Sequence, residues 1–106
     1  MTPVKALEKL LPDVATALVH GEGEINSMTA MTNASMWGLD EFQEPTLTKI
    51  SDTHYDFSVA MTLSGERDRM PFCGDMIEMT INGKLVLEDG KWTIEEYEVV
   101  EPQLNF

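Results

Sequence analysis

The chain has little of three things: cysteine, positive charge and long apolar runs. Cys73 is the single cysteine, so no intrachain disulfide and no multi-cysteine metal site can form. A reducing cytoplasm is therefore the expected compartment. No apolar run approaches the roughly 18 residues that a membrane-spanning helix needs. Met1-Thr2-Pro3-Val4-Lys5 does not begin a basic n-region followed by an apolar h-region, so no signal peptide is expected. The sequon Asn33-Ala34-Ser35 is then a chance match. The two histidines, His20 and His54, are far apart in sequence, which speaks against zinc. No cofactor motif is present, and no calcium-loop spacing accompanies His20, Glu22 and Glu24.

The shortage of cations is the strongest global feature. Seven Lys and Arg stand against nineteen Asp and Glu, for a formal net charge of −12. Such a field repels free nucleic acid and anionic membranes and attracts cationic partners. It also serves plain solubility.

What is present describes one folded unit. A length of 106 residues with 42% hydrophobic content suits a single domain over residues 1–106 with one core. Thr2 can cap a helix with Pro3 in its first turn, where the missing N–H costs nothing. Val4, Leu7, Leu11, Val14 and Leu18 recur at helical spacing. Pro12 kinks or splits that helix, and Gly21 stops it. Residues 24–36 fit either periodicity, and their Ser, Thr and Asn content favours a strand. Residues 38–45 read as an acidic loop and 46–50 as a short strand.

The rest alternates with period two. Tyr55, Phe57, Val59, Met61 and Leu63 share one face of a strand, with His54, Asp56 and Ser58 on the other. Ile77, Met79, Ile81, Leu85 and Leu87 face inward from the next strand. Asp89-Gly90 is a two-residue hairpin turn signal. It sets Leu87 opposite Trp92 and Leu85 opposite Ile94. A bulge at Glu95-Glu96 then restores the apolar phase, with Tyr97 over Gly83 and Val99 against Ile81. Pro102 is expected to stop the last strand. Met28, Met36, Met61 and Met79 fall on inward faces as core filler, whereas Met31, Met70 and Met76 fit less well.

The expected fold class is α+β. An N-terminal helix packs on a curved antiparallel sheet of about four to five strands in meander order. Cystatin-like and cone-shaped NTF2-type folds share this order of elements, an analogy that carries no function.

Candidate sites are few. Asp40, Glu41 and Glu44 form one acidic cluster, and Glu95, Glu98 and Glu101 belong to another together with Glu96. These are the expected contacts for a basic protein partner. Arg67 and Arg69 flank Asp68 in one loop and could grip an anion or form a recognition tip. His54, Asp56 and Ser58 hold the residue types of a hydrolase triad, but alternate strand positions lie roughly 6–7 Å apart, too far for its hydrogen bonds. No catalytic constellation emerges. The preferred expectation is a non-enzymatic acidic protein-binding domain of inhibitor or immunity type, neutralising a basic or nucleic-acid-binding partner. A cone-like fold with a small-ligand pocket and a homo-oligomeric scaffold are the alternatives, and a homodimer stays open.

Overall fold

The computed structural model describes residues 2–21, 23–31, 36–66 and 75–105. Arg67, Arg69, Cys73, Glu22 and the Asn33 sequon lie outside the described residues. Two helices, α1 (Pro3–His20) and α2 (Glu24–Ala30), precede five strands: β1 (Met36–Phe42), β2 (Thr46–Ser51), β3 (His54–Glu66), β4 (Met76–Glu88) and β5 (Lys91–Asn105). This is an α+β fold with an N-terminal helix on an antiparallel sheet ordered β1-β3-β4-β5, with β2 also on β3. No helix of the described residues is long and apolar enough to cross a membrane.

α1 begins as its sequence requires. The Thr2 hydroxyl accepts from the Lys5 amide at 3.3 Å, and Pro3 occupies the first turn. The helix runs unbroken through Pro12. Proline lacks the amide that would bond the Glu8 carbonyl, and Pro12 sits on the exposed side, where water can satisfy that carbonyl. Leu7, Leu11, Val14, Ala15 and Val19 face the sheet and are buried.

Residues 24–30 form a helix, not the expected strand. The polar side chains responsible for that expectation bond back to helical carbonyls. Thr29 Oγ1 donates to Asn26 O at 2.7 Å, and Ser27 Oγ donates to Gly23 O at 3.1 Å. Asn26 Nδ2 donates to Val19 O at 2.8 Å, satisfying a carbonyl at the end of α1. Ile25 joins this short helix to the core, with Met28 packed against it, and Thr29 is buried as well.

The acidic stretch 38–45 is likewise mostly strand. β1 and β2 lie end to end along β3, β1 on its Met61–Glu66 half and β2 on its His54–Ser58 half. Pro45 occupies the break between them and is buried, where it has no ladder amide to lose. The Gln43 amide still reaches Ala60 O at 2.9 Å. Register shifts between Leu39 and Glu41 and between Lys49 and Ser51 add bend and twist to this edge.

The β4–β5 hairpin follows the predicted pairing. Asp89 and Gly90 have φ of 51° and 76°, the left-handed pair a type I′ turn requires. Leu87 pairs with Trp92, Leu85 with Ile94, Gly83 with Tyr97 and Ile81 with Val99, after a shift that leaves Glu95 as the extra residue. Gly83 has no room for a side chain, since a Cβ there would lie 2.5 Å from Glu96 O and 2.7 Å from the Phe57 ring. Pro102 does not stop β5, which continues to Asn105. A second bulge opposite Met79 absorbs it, with Gln103 on Glu78 and Val100 on Thr80. An edge strand at a bulge is where proline costs least.

The core sits between α1 and the inner sheet face. Leu7, Leu11, Leu63, Ile77, Ile81 and Leu85 are fully buried, and Tyr55 meets Trp92 edge to face at 5.7 Å. Met61 and Met79 join this core, and Met28 packs against it from the side. Met36, expected inside, is 64% exposed. It begins an edge strand whose buried neighbours belong to the opposite phase.

Candidate partner-binding face

The outer face of the sheet is built by the alternate residues of the strands that build the core. The registers align Glu41, Thr62, Glu78 and Gln103 in one row across β1, β3, β4 and β5. Ala60 and Thr80 form the next row, opposite Val100. Short half-buried side chains, Ala60, Thr62 and Thr80, make a floor, and Glu41, Gln43, Glu78, Glu101 and Gln103 stand exposed around it. They enclose an open groove of about 350 Å³ with no cation among its described lining residues.

This groove joins parts of two clusters that the sequence keeps apart. Asp40, Glu41 and Glu44 lie along the β1 edge, and Glu95, Glu98 and Glu101 on β5, the opposite end of the strand order. Three strand spacings, about 14 Å, separate those edges. Glu41 and Glu101 nevertheless line the one groove, and Glu78 stands between them. Asp40 is the bulged residue of β1 and Glu44 belongs to the link before Pro45, both exposed and neither lining the groove. Glu95, at the first bulge of β5, and Glu98, opposite Asn82, are exposed. Sequence reasoning did not single out Glu78. Its signal was its place between the inward-facing Ile77 and Met79, which forces a lone charge outward.

Glu101 carries a further mark. Its φ of 50° is left-handed, a conformation that costs a non-glycine residue roughly 1–2 kcal/mol. The bulge before Pro102 imposes it and places the Glu101 side chain at the groove.

Charge is unevenly spread. α1 balances Lys5 and Lys9 against Glu8 and Asp13, whereas β5 sets Glu95, Glu96, Glu98 and Glu101 against Lys91. Lys84 lies 3.5 Å from Glu96, both largely exposed, a pair that solvent screening makes weak. Lys49 Nζ lies 2.9 Å from Asp52 across the β2–β3 turn. That hydrogen bond and the opposite charge hold the Asp52 carboxyl below its ordinary range and raise the Lys49 ammonium above its own.

The remaining candidates do not converge. His54 Nδ1 contacts Thr53 Oγ1 at 2.8 Å and Ser51 Oγ at 3.3 Å, and no bond joins it to Asp56 or Ser58 among the described residues. His54 and Asp56 are exposed on the outer face. Leu7, Leu11 and Ile81 fill the middle of the helix–sheet interface, and a groove lined by Leu18, Ile25, Tyr97 and Val99 opens at its β5 side. No group of three His, Cys, Asp or Glu suited to a metal ion occurs among the described residues. No protein-family model, curated protein or solved structure matches this chain, so the likeness to cystatin-like and NTF2-type folds rests on element order alone.

Proposed function

We propose that the chain is a protein-binding domain whose outer sheet face, on the side away from α1, docks a basic surface of another protein. In this role it acts as an inhibitor or immunity-type protein toward a basic or nucleic-acid-binding partner. The observation that carries this reading is the groove in which Glu41, Glu78 and Glu101, from three strands, surround a floor of small side chains with no cation among the described lining residues. Three carboxylates on a rigid sheet attract Lys and Arg side chains without the ordering cost of a flexible loop. The small floor residues let long cationic side chains reach the carboxylates. With a net charge of −12 behind them, association is steered by long-range attraction, fast at low ionic strength and slowed by salt.

The test pairs the native chain with a Glu78→Lys/Glu101→Lys variant as bait in native lysate, washed at low and high salt. The native chain is expected to retain a basic protein at low salt, which the variant loses. With that partner purified, the variant's on-rate should fall by about tenfold or more at low salt. An unchanged on-rate removes the reading.

A further inference from the structure

The strand order ends at β5, so the outer backbone edge of that strand has no strand partner among the described residues. Bulges at Glu95 and Glu101 bracket a regular stretch, Glu96 to Val100. The two faces of this stretch differ. Glu96 and Glu98 project on the outer face, opposite Lys84 and Asn82. Tyr97 and Val99 project on the inner face, where with Ala17, Leu18, Ile25 and the exposed Glu24 they line a groove of about 330 Å³ beside the α1–α2 turn. Tyr97 is left 38% exposed there.

We infer that this edge accepts an extended segment of a partner as an added strand, about five residues long, with basic and apolar side chains alternating. Neighbouring strands place opposed side chains on the same face. Residues opposite Glu96 and Glu98 are therefore Lys or Arg, and residues opposite Tyr97 and Val99 are apolar and enter the groove. The edge backbone supplies the hydrogen bonds, and the two side-chain rows supply the selectivity. A second copy of this chain is a poor occupant. Pairing β5 with β5 would bring Glu95, Glu96, Glu98 and Glu101 of two copies together, on chains each carrying a net charge of −12. Acidic residues on an edge also deter aggregation, but that duty needs only charge. It does not call for a groove with Leu18 and Ile25 in its wall and an uncovered tyrosine next to them.

The inference rests on the reading that the partner is basic, and three peptides separate the two. The first has the core Lys-Val-Lys-Val-Lys between serines. The second is the same peptide N-methylated at alternate residues on the edge-facing side, and the third has the same composition with lysines and valines in blocks. Binding is measured at low salt, together with amide hydrogen exchange. The first peptide should bind about tenfold or more tighter than the others, since only it offers both the ladder and the alternation. It should also slow amide exchange within Glu96–Val100. Equal binding of all three overturns strand addition and leaves the basic-partner reading standing. No binding by any of them overturns both. A protein already dimeric, with those amides protected before peptide is added, overturns strand addition by giving the edge to a second copy.

Discussion

The two faces of the sheet share the same strands and serve opposite ends. On the inner face, Leu63, Ile77, Ile81 and Leu85 are fully buried beneath α1. On the outer face the intervening residues, Thr62, Glu78 and Thr80, leave an acidic groove open to solvent. Period-two alternation keeps the faces independent, because a side chain on one cannot reach the other. Stability should therefore reside in the inner face, and the charge-steered contact of the acidic groove in the outer one.

That division can be broken by substitution. Leu63→Ala, at the centre of the inner face, should destabilise the fold by about 3–4 kcal/mol in denaturant unfolding. Affinity for a basic partner should not change while the protein stays folded. Gly83→Ala should cost about 2 kcal/mol, since the new methyl meets a carbonyl oxygen of β5 that only a backbone shift can clear. Reversal of Glu78 and Glu101 to Lys is the converse case. Unfolding free energy should move by less than about 0.5 kcal/mol, while association at low salt collapses. A large loss of stability in that variant would erase the distinction between the faces.

Glu101 sharpens the comparison, because there the faces trade against each other. Glycine accepts a φ of 50° without steric penalty, so Glu101→Gly should stabilise the fold by about 1 kcal/mol and weaken binding of a basic probe. Thermal unfolding and a binding titration on the same sample read both effects. The smallest change belongs to the exposed Lys49–Asp52 pair. The Asp52 pKa is lowered in the folded chain, so its contribution is present above the ordinary value of 3.8 and is lost as pH falls through the lowered one. The raised Lys49 pKa works in the other sense, its contribution present below 10.5 and lost as pH rises past the raised value. Asp52→Asn should thus differ slightly from the native chain at neutral pH, and the two stability curves should merge in acid.

Legibility in the sequence followed the range of the interactions. The β4–β5 pairing from Leu87–Trp92 to Ile81–Val99, with its bulge at Glu95-Glu96, is legible because a turn of two residues and strict alternation are local signals. The inner faces of β3 and β4 were legible for the same reason. α2 was not, because Ser27, Thr29 and Asn26 resemble helix breakers until their hydroxyls and amide are seen on helical carbonyls. Residues 38–42 of β1 read as loop because its acids and Gly38 mask a strand that exists only by pairing with β3. Pro102 reads as a stop until the strand order shows β5 to be an edge strand with a second bulge. Of the candidate site, the acidic residues were visible and their meeting was not. Glu41 and Glu101 come together only through the order of the strands, and Glu78 between them went unnoticed as a single charge in an apolar strand.

The most direct test of the division between the faces is a residue-resolved NMR titration of the native chain with a lysine-only peptide, at low and at moderate salt. The account predicts shifts concentrated at Glu41, Thr62, Glu78, Thr80, Glu98 and Glu101 that fade as salt rises, with α1 unmoved. Shifts spread evenly over every acidic residue, Glu8 and Asp13 of α1 included, would show that the charge serves solubility alone and would contradict a dedicated binding face.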